Sequence, residues 1–204
     1  MGQPLDPSAS TILDMKLSIA LFGVLAVAAI KLAAADCDTS TEAGIAAAYK
    51  KATGNEVSKD HNCLRRSRTF KGLVWTGEFA YDRGCMGQGV LVGCALNPPG
   101  YDKAAMSKAG WDKADLAGRN KLAVAWLTEI DNLSVVDRKP DKFTKPFAPA
   151  AATADGNKLV VEVWTVDPPG MAPTTYYHKN KIVFEADGSH GEIAETDRFE
   201  IPIR

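Results

Sequence analysis

Four cysteines, Cys37, Cys63, Cys85 and Cys94, all follow an apolar run at Leu17–Ile30, and this arrangement limits the chain more than any other feature. The run is 14 residues long, preceded by Lys16 and closed by Lys31. A membrane-spanning helix needs about 20 apolar residues. A secretory leader instead has a basic start, an apolar centre of about 7–15 residues and small residues at the cut. Lys16, Leu17–Ile30 and Ala33-Ala34-Ala35 supply those parts in order, so cleavage is expected before Asp36.

Residues 1–14 contain Asp6 and Asp14 and no Lys or Arg, which does not suit the start of a leader. Met15 is therefore the expected initiator, with 1–14 an upstream extension, 15–35 a signal peptide and 36–204 a single domain with room for a sizeable core. Asp36 next to Cys37 departs from a lipidation box, and lipidating Cys37 would leave an odd number of thiols. The expected location is secreted or periplasmic, with no permanent membrane span after cleavage.

An even cysteine count in an exported chain reads as two disulfides. No C-x-x-C pair is present, so a zinc site is disfavoured. Phe70–Tyr81 reads as a strand of 12 residues, which spans about 40 Å when extended, whereas bridged Cα atoms lie about 4.4–6.8 Å apart. A Cys63–Cys85 bridge would require both flanks to fold back along that strand. The expected pairing is Cys37–Cys63 with Cys85–Cys94. It requires residues 86–93 to loop, which Gly87, Gly89 and Gly93 allow, although Val90-Leu91-Val92 equally suits a strand.

The mature segment loses two lysines and two aspartates with the leader and keeps a formal charge of −1. Such balance supplies no global attraction to nucleic acid or anionic membrane. No fixed-period repeat is present. Asn97-Pro98-Pro99-Gly100 and Asp167-Pro168-Pro169-Gly170 read as turns.

Helical signals come first. Thr39 with Glu42 forms a candidate capping box and Gly54 a stop. Asp102–Ala109 reads as a short helix ended by Gly110. The strongest helix lies over residues 112–133, with Leu116, Leu122, Ala123, Trp126, Leu127 and Ile130 on a broad apolar stripe. Residues 138–157 form a Pro- and Ala-rich connection, long enough to suggest a functional or mobile loop. The last 47 residues read as an antiparallel meander joined through Asp187-Gly188-Ser189-His190-Gly191.

Helices followed by strands indicate an α+β fold, with helices packed on one face of a mostly antiparallel sheet and a C-terminal β-meander. The order suits a cystatin-like or NTF2-like architecture, in which a curved sheet wraps a helix. No motif ties the chain to either family.

Three histidines are candidates for chemistry: His61, His178 and His190. A hairpin turning at Asp187-Gly188 puts His178 opposite Asp197, a pairing that could orient a general base, against the plainer reading of a cross-strand polar pair. Ser189 beside His190 reads as turn chemistry. No nucleophile elbow, zinc-protease, phosphate-loop or dinucleotide motif occurs, and no metal or cofactor is expected. Arg65, Arg66, Arg68 and Lys71 form a basic cluster able to grip phosphate or sulfate. Trp164, Tyr176 and His178 are candidates to line a ligand pocket on the sheet, with core packing the competing role for Trp164. Tyr176 and Tyr177 must face opposite sides.

Together these features describe an exported, disulfide-containing domain that binds a protein or a small apolar ligand. A small hydrolase or isomerase using His178 and Asp197 is one alternative, and an envelope polyanion binder using Arg65–Lys71 is another.

Overall fold

A computed structural model describes residues 37–58, 62–80, 84–168 and 173–202. The expected upstream extension and leader lie outside these residues, as does His61. Among the described residues there are three α-helices and two antiparallel sheets, an α+β fold. Helices α1 (Glu42–Thr53), α2 (Tyr101–Lys108) and α3 (Leu116–Glu129) combine with strands β1 (Asn62–Arg66), β2 (Leu73–Ala80), β3 (Gly84–Val92), β4 (Ala95–Leu96), β5 (Ser134–Val135), β6 (Ala151–Asp155), β7 (Lys158–Val166), β8 (Thr174–Phe184) and β9 (Ala194–Pro202).

Helix α1 starts later than its sequence suggests. Asp38 accepts the Ser40 N–H at 2.8 Å, which turns the chain, and Thr41 rather than Thr39 becomes the cap by accepting the Gly44 N–H at 3.0 Å. Gly54, at φ 78°, closes the helix by donating to Lys50 O at 2.8 Å. Asp115 caps α3 by accepting the Gly118 N–H. Ala123, Trp126, Leu127 and Ile130 are buried, whereas Leu116, at the first turn, is 46 % exposed and drops off the expected stripe.

The single sheet expected from the sequence is in fact two. The first runs β1-β2-β3-β4; the second runs β5-β7-β8-β9, with β6 also pairing β7. Strand alternation gives each face of the first sheet a separate partner. Leu64, Val74 and Leu91 pack with Ile45, Ala48 and Tyr49 of α1. Leu73 and Val90 join Met106, Trp111, Trp126 and Leu127, which in turn cover Val161, Val163, Ile182 and Phe184 of the second sheet. Helices α2 and α3 therefore fill the space between the sheets. Trp111 anchors the layer by donating Nε1–H to Ala186 O at 3.0 Å.

The cysteine pairing expected from the sequence is corrected: the bridges are Cys37–Cys94 and Cys63–Cys85. Residues 86–92 lie in strand β3 and do not loop, so Cys85 and Cys94 are held apart. The flanks of β2 do fold all the way back. β1 and β3 pair antiparallel on its two sides, with Cys63 opposite Gly77 and Cys85 opposite Phe79. Two strands flanking a third in a flat sheet stand about 9.5 Å apart, yet these Cα atoms are 5.9 Å apart, so the sheet bends across β2. The ladder shifts register between Thr76 and Gly77, and a Cβ at Gly77 would lie 2.4 Å from Cη2 of Trp75, whose indole needs that space.

Part of the connection expected over 138–157 is ordered as an edge strand, β6, turning at Gly156 into β7. What remains is a strap that crosses the outer face of the second sheet.

Candidate functional site

Strands β7, β8 and β9 carry the residues that matter, and their alternation separates them into two faces. Trp164 pairs with Lys179, and Val166 with Tyr177, which in turn pairs with Phe199. Trp164, Tyr177, Lys179, Asp197 and Phe199 therefore occupy the outer face. Tyr176 and His178 sit on the opposite face with Asn180. The expected grouping of Trp164 with Tyr176 and His178 is thus corrected. A residue directly across a ladder shares a face and its sequence neighbour does not, so Trp164 is joined by Tyr177.

On the inner face, β8 and β9 meet with one residue more than a regular hairpin allows. Lys181 pairs with Ala194 and Asn180 with Glu195, then the register shifts so that Lys179 pairs with Asp197 and His178 with Arg198. Thr196 is the extra residue of a β-bulge, and it overturns the expected His178–Asp197 pair. Asp197 turns to the outer face, where it takes the Lys145 ammonium. His178 instead sets Nδ1 2.8 Å from Glu195 Oε2 and Nε2 3.1 Å from Asp167 Oδ1. Both ring nitrogens therefore lie within hydrogen-bond reach of carboxylates. Arg198 donates to Glu195 at 3.0 Å and, with His178, holds its carboxyl below the usual range.

His190 makes a second clamp. Its Nδ1 donates to Gly191 O at 2.7 Å and its Nε2 lies 3.0 Å from Asp131 Oδ2. Burial pushes the imidazole down, but Asp131 and the Gly191 carbonyl outweigh it, and its pKa stands above the ordinary value.

The outer face is covered by the strap. Phe143, 3 % exposed, lies edge-on to Trp164 at 4.9 Å, to Tyr177 at 5.6 Å and to Phe147 at 5.9 Å, and packs tilted on Phe199 at 4.6 Å. Lys145 fastens the next turn by donating to Asp197 and to Arg198 O. Beside the strap runs a groove of about 190 Å³ lined by Pro146, Phe147, Ala148, Ala151, Trp164 and Lys179. Lys179 and Glu162, 2.8 Å apart, form its polar edge. Phe143 and Phe147 are the residues missed by sequence reasoning. Their spacing between Pro140, Pro146 and Pro149 was the available signal.

The basic cluster also divides. The Arg65 guanidinium stacks 4.8 Å from the Trp75 ring centroid and donates to Asn132 Oδ1 at 2.6 Å. The turn beyond it does bind an anion, but the anion is the chain's own. Glu129 accepts from Ser67 Oγ at 2.5 Å, Arg68 N at 2.8 Å and Thr69 N at 3.1 Å on Oε2, and from Thr69 Oγ1 at 2.8 Å on Oε1. Burial raises the Glu129 pKa, but these bonds more than offset it and hold the carboxyl below its ordinary value.

Among the described residues no cluster of three or more His, Cys, Asp or Glu is arranged to hold a metal ion, and no helix is long and apolar enough to cross a membrane. Fold and bridges define the class: a two-disulfide α+β domain of the kind suited to an oxidising compartment. Comparison with protein-family models, curated proteins and solved structures returned no match.

Proposed function

We propose that this is an exported domain, secreted or periplasmic, that works by binding a partner protein at the strap groove. The groove beside Trp164 carries the reading. At about 190 Å³ it is smaller than the roughly 300–1,000 Å³ of small-molecule sites and suits one apolar side chain of an extended segment. Its aromatic and proline walls and its Glu162–Lys179 edge resemble the apolar centre and polar rim of a protein interface. The space between helices and sheet, where a small apolar ligand would otherwise sit, is filled by Met106, Trp111, Trp126 and Leu127. A hydrolase or isomerase built on His178 and Asp197 lacks its central contact.

A photoreactive residue replacing exposed Ala148 should crosslink a defined partner in the exporting host, while the same residue at Lys51 on α1 should not. With that partner purified, Ala151→Arg should lower affinity by about 30-fold, the effect of blocking one interface anchor worth about 2 kcal/mol. Equal crosslinking from Lys51, or unchanged affinity in Ala151→Arg, would sink the reading.

A further inference from the structure

The basic turn plays no part in the strap groove, and its side chains are not equivalent. Arg65 is committed to Trp75 and Asn132. Arg66, Arg68 and Lys71 are exposed and none is ion-paired among the described residues. Lys108, at the end of α2, joins them from a distant part of the sequence. It is exposed, likewise unpaired, and shares with Lys71 a groove of about 200 Å³ lined also by Thr69, Phe70 and Ala105. On the other side of Lys71 lies a second groove of about 400 Å³, lined by Ser40, Arg66, Ser67 and Gly72. Lys71 therefore lines both grooves.

A chain whose formal charge is −1 has concentrated on one turn and one helix end four cations that make no close ion pair among the described residues. Two carboxylates lie nearby. Glu129, beneath the turn, has both oxygens taken by four hydrogen bonds. Asp38 lines the larger groove, is bonded to Ser40 and feels the Arg66 charge without a close ion pair. The grip on Glu129, together with the Phe70 N–H donated to Ser67 Oγ at 2.8 Å, fixes the backbone from which Arg66, Arg68 and Lys71 project. The cations are thus held on a rigid frame before any ligand arrives, which lowers the ordering cost of binding.

We propose that Arg66, Arg68, Lys71 and Lys108 form a binding surface for a linear glycan carrying sulfate or phosphate groups, its chain running through both grooves across Lys71. Two grooves that share Lys71 in their linings suit a chain; a flat bilayer would meet the cation tips and leave the grooves empty. Four anion contacts release their counterions on binding, so affinity falls by about 50- to 150-fold between 50 and 200 mM salt.

The test titrates the full protein, recovered from an exporting host, with a sulfated heparin-type decasaccharide and with its desulfated counterpart. Binding only to the sulfated form, with that salt dependence, is expected. Lys71→Glu with Lys108→Glu should lower affinity at 50 mM salt at least tenfold and flatten the log–log salt slope by about 1.5. Lys51→Glu with Lys121→Glu should change neither. Should the charge reversal lower thermal stability, Lys71→Gln with Lys108→Gln gives the same readout without like-charge effects. The proposal fails if the sulfated decasaccharide does not bind, or if the Lys51/Lys121 control loses as much. It also fails if binding is seen only with vesicles containing 30 mol% anionic phospholipid, which would assign the patch to a membrane surface.

Discussion

Thr69 and Glu129, sixty residues apart in the chain, meet in a double contact: the threonine hydroxyl donates to Oε1 at 2.8 Å and its backbone N–H to Oε2 at 3.1 Å. With Ser67 and Arg68 the turn satisfies the last residue of α3 and ties the first sheet to the central helical layer. Glu129→Ala should cost about 2 kcal/mol, the scale of losing hydrogen bonds to a charged, half-buried acceptor. Urea unfolding measures it; a loss below about 0.5 kcal/mol would mean the turn holds without its anion.

The same contact has an acid signature. Because the folded Glu129 pKa is lowered, its contribution is complete above the unfolded value of about 4.3 and disappears as pH falls through the folded value. Stability of the native chain should therefore drop more between pH 6 and pH 3 than that of Glu129→Gln. Parallel pH profiles would contradict this.

His190 titrates with the opposite sign. Its folded pKa is raised, so the stability tied to its charge is complete below about 6.5 and lost as pH rises through the folded value. The imidazole midpoint followed by NMR should lie above 6.5, and Asp131→Asn should bring it down. A midpoint unmoved by Asp131→Asn would show that the 3.0 Å contact carries no charge coupling.

The two bridges should differ in what their loss costs. Cys37 and Cys94 are 57 residues apart and Cys63 and Cys85 are 22 apart, so paired Cys→Ser changes should destabilise by about 4 and about 3 kcal/mol respectively. Non-reduced peptide mapping should link Cys37 to Cys94 and Cys63 to Cys85. A Cys37–Cys63 peptide would refute the antiparallel return of β1 and β3.

Phe143 should hold the strap down. Phe143→Ala is expected to cost about 3–4 kcal/mol, as for other large aromatic truncations in a packed site. It should also expose the Lys142–Phe143 bond to trypsin, while Lys139 and Lys145, each followed by proline, stay resistant. Equal cleavage rates in the two proteins would show that the strap is already loose.

Much of the local structure was legible because short-range chemistry encodes it. Gly54 sits where a helix end needs it, whereas the helix expected over 112–133 begins only after its cap, Asp115; the β-branched run Leu159–Val166 forms a strand whose Leu159, Val161 and Val163 are buried. Where one residue of register matters, the sequence is silent. Counting from the turn sets His178 opposite Asp197, and the single extra residue at Thr196 separates them. The length of the strand between Cys63 and Cys85 does not say whether its neighbours return beside it, as they do here.

From its own residues the chain determined the helix stop at Gly54, its strand alternation, an even set of cysteines and a basic turn, each set by the residue types within a few positions. Only the tertiary structure decided which cysteines meet, which face Trp164 shares, and which anion the turn holds. Those outcomes depend on pairing segments 20 to 60 residues apart, where a bulge or a bent sheet shifts every partner by a residue. Local propensity carries no information about that choice; packing of the two sheets around Trp111 and Trp126 does.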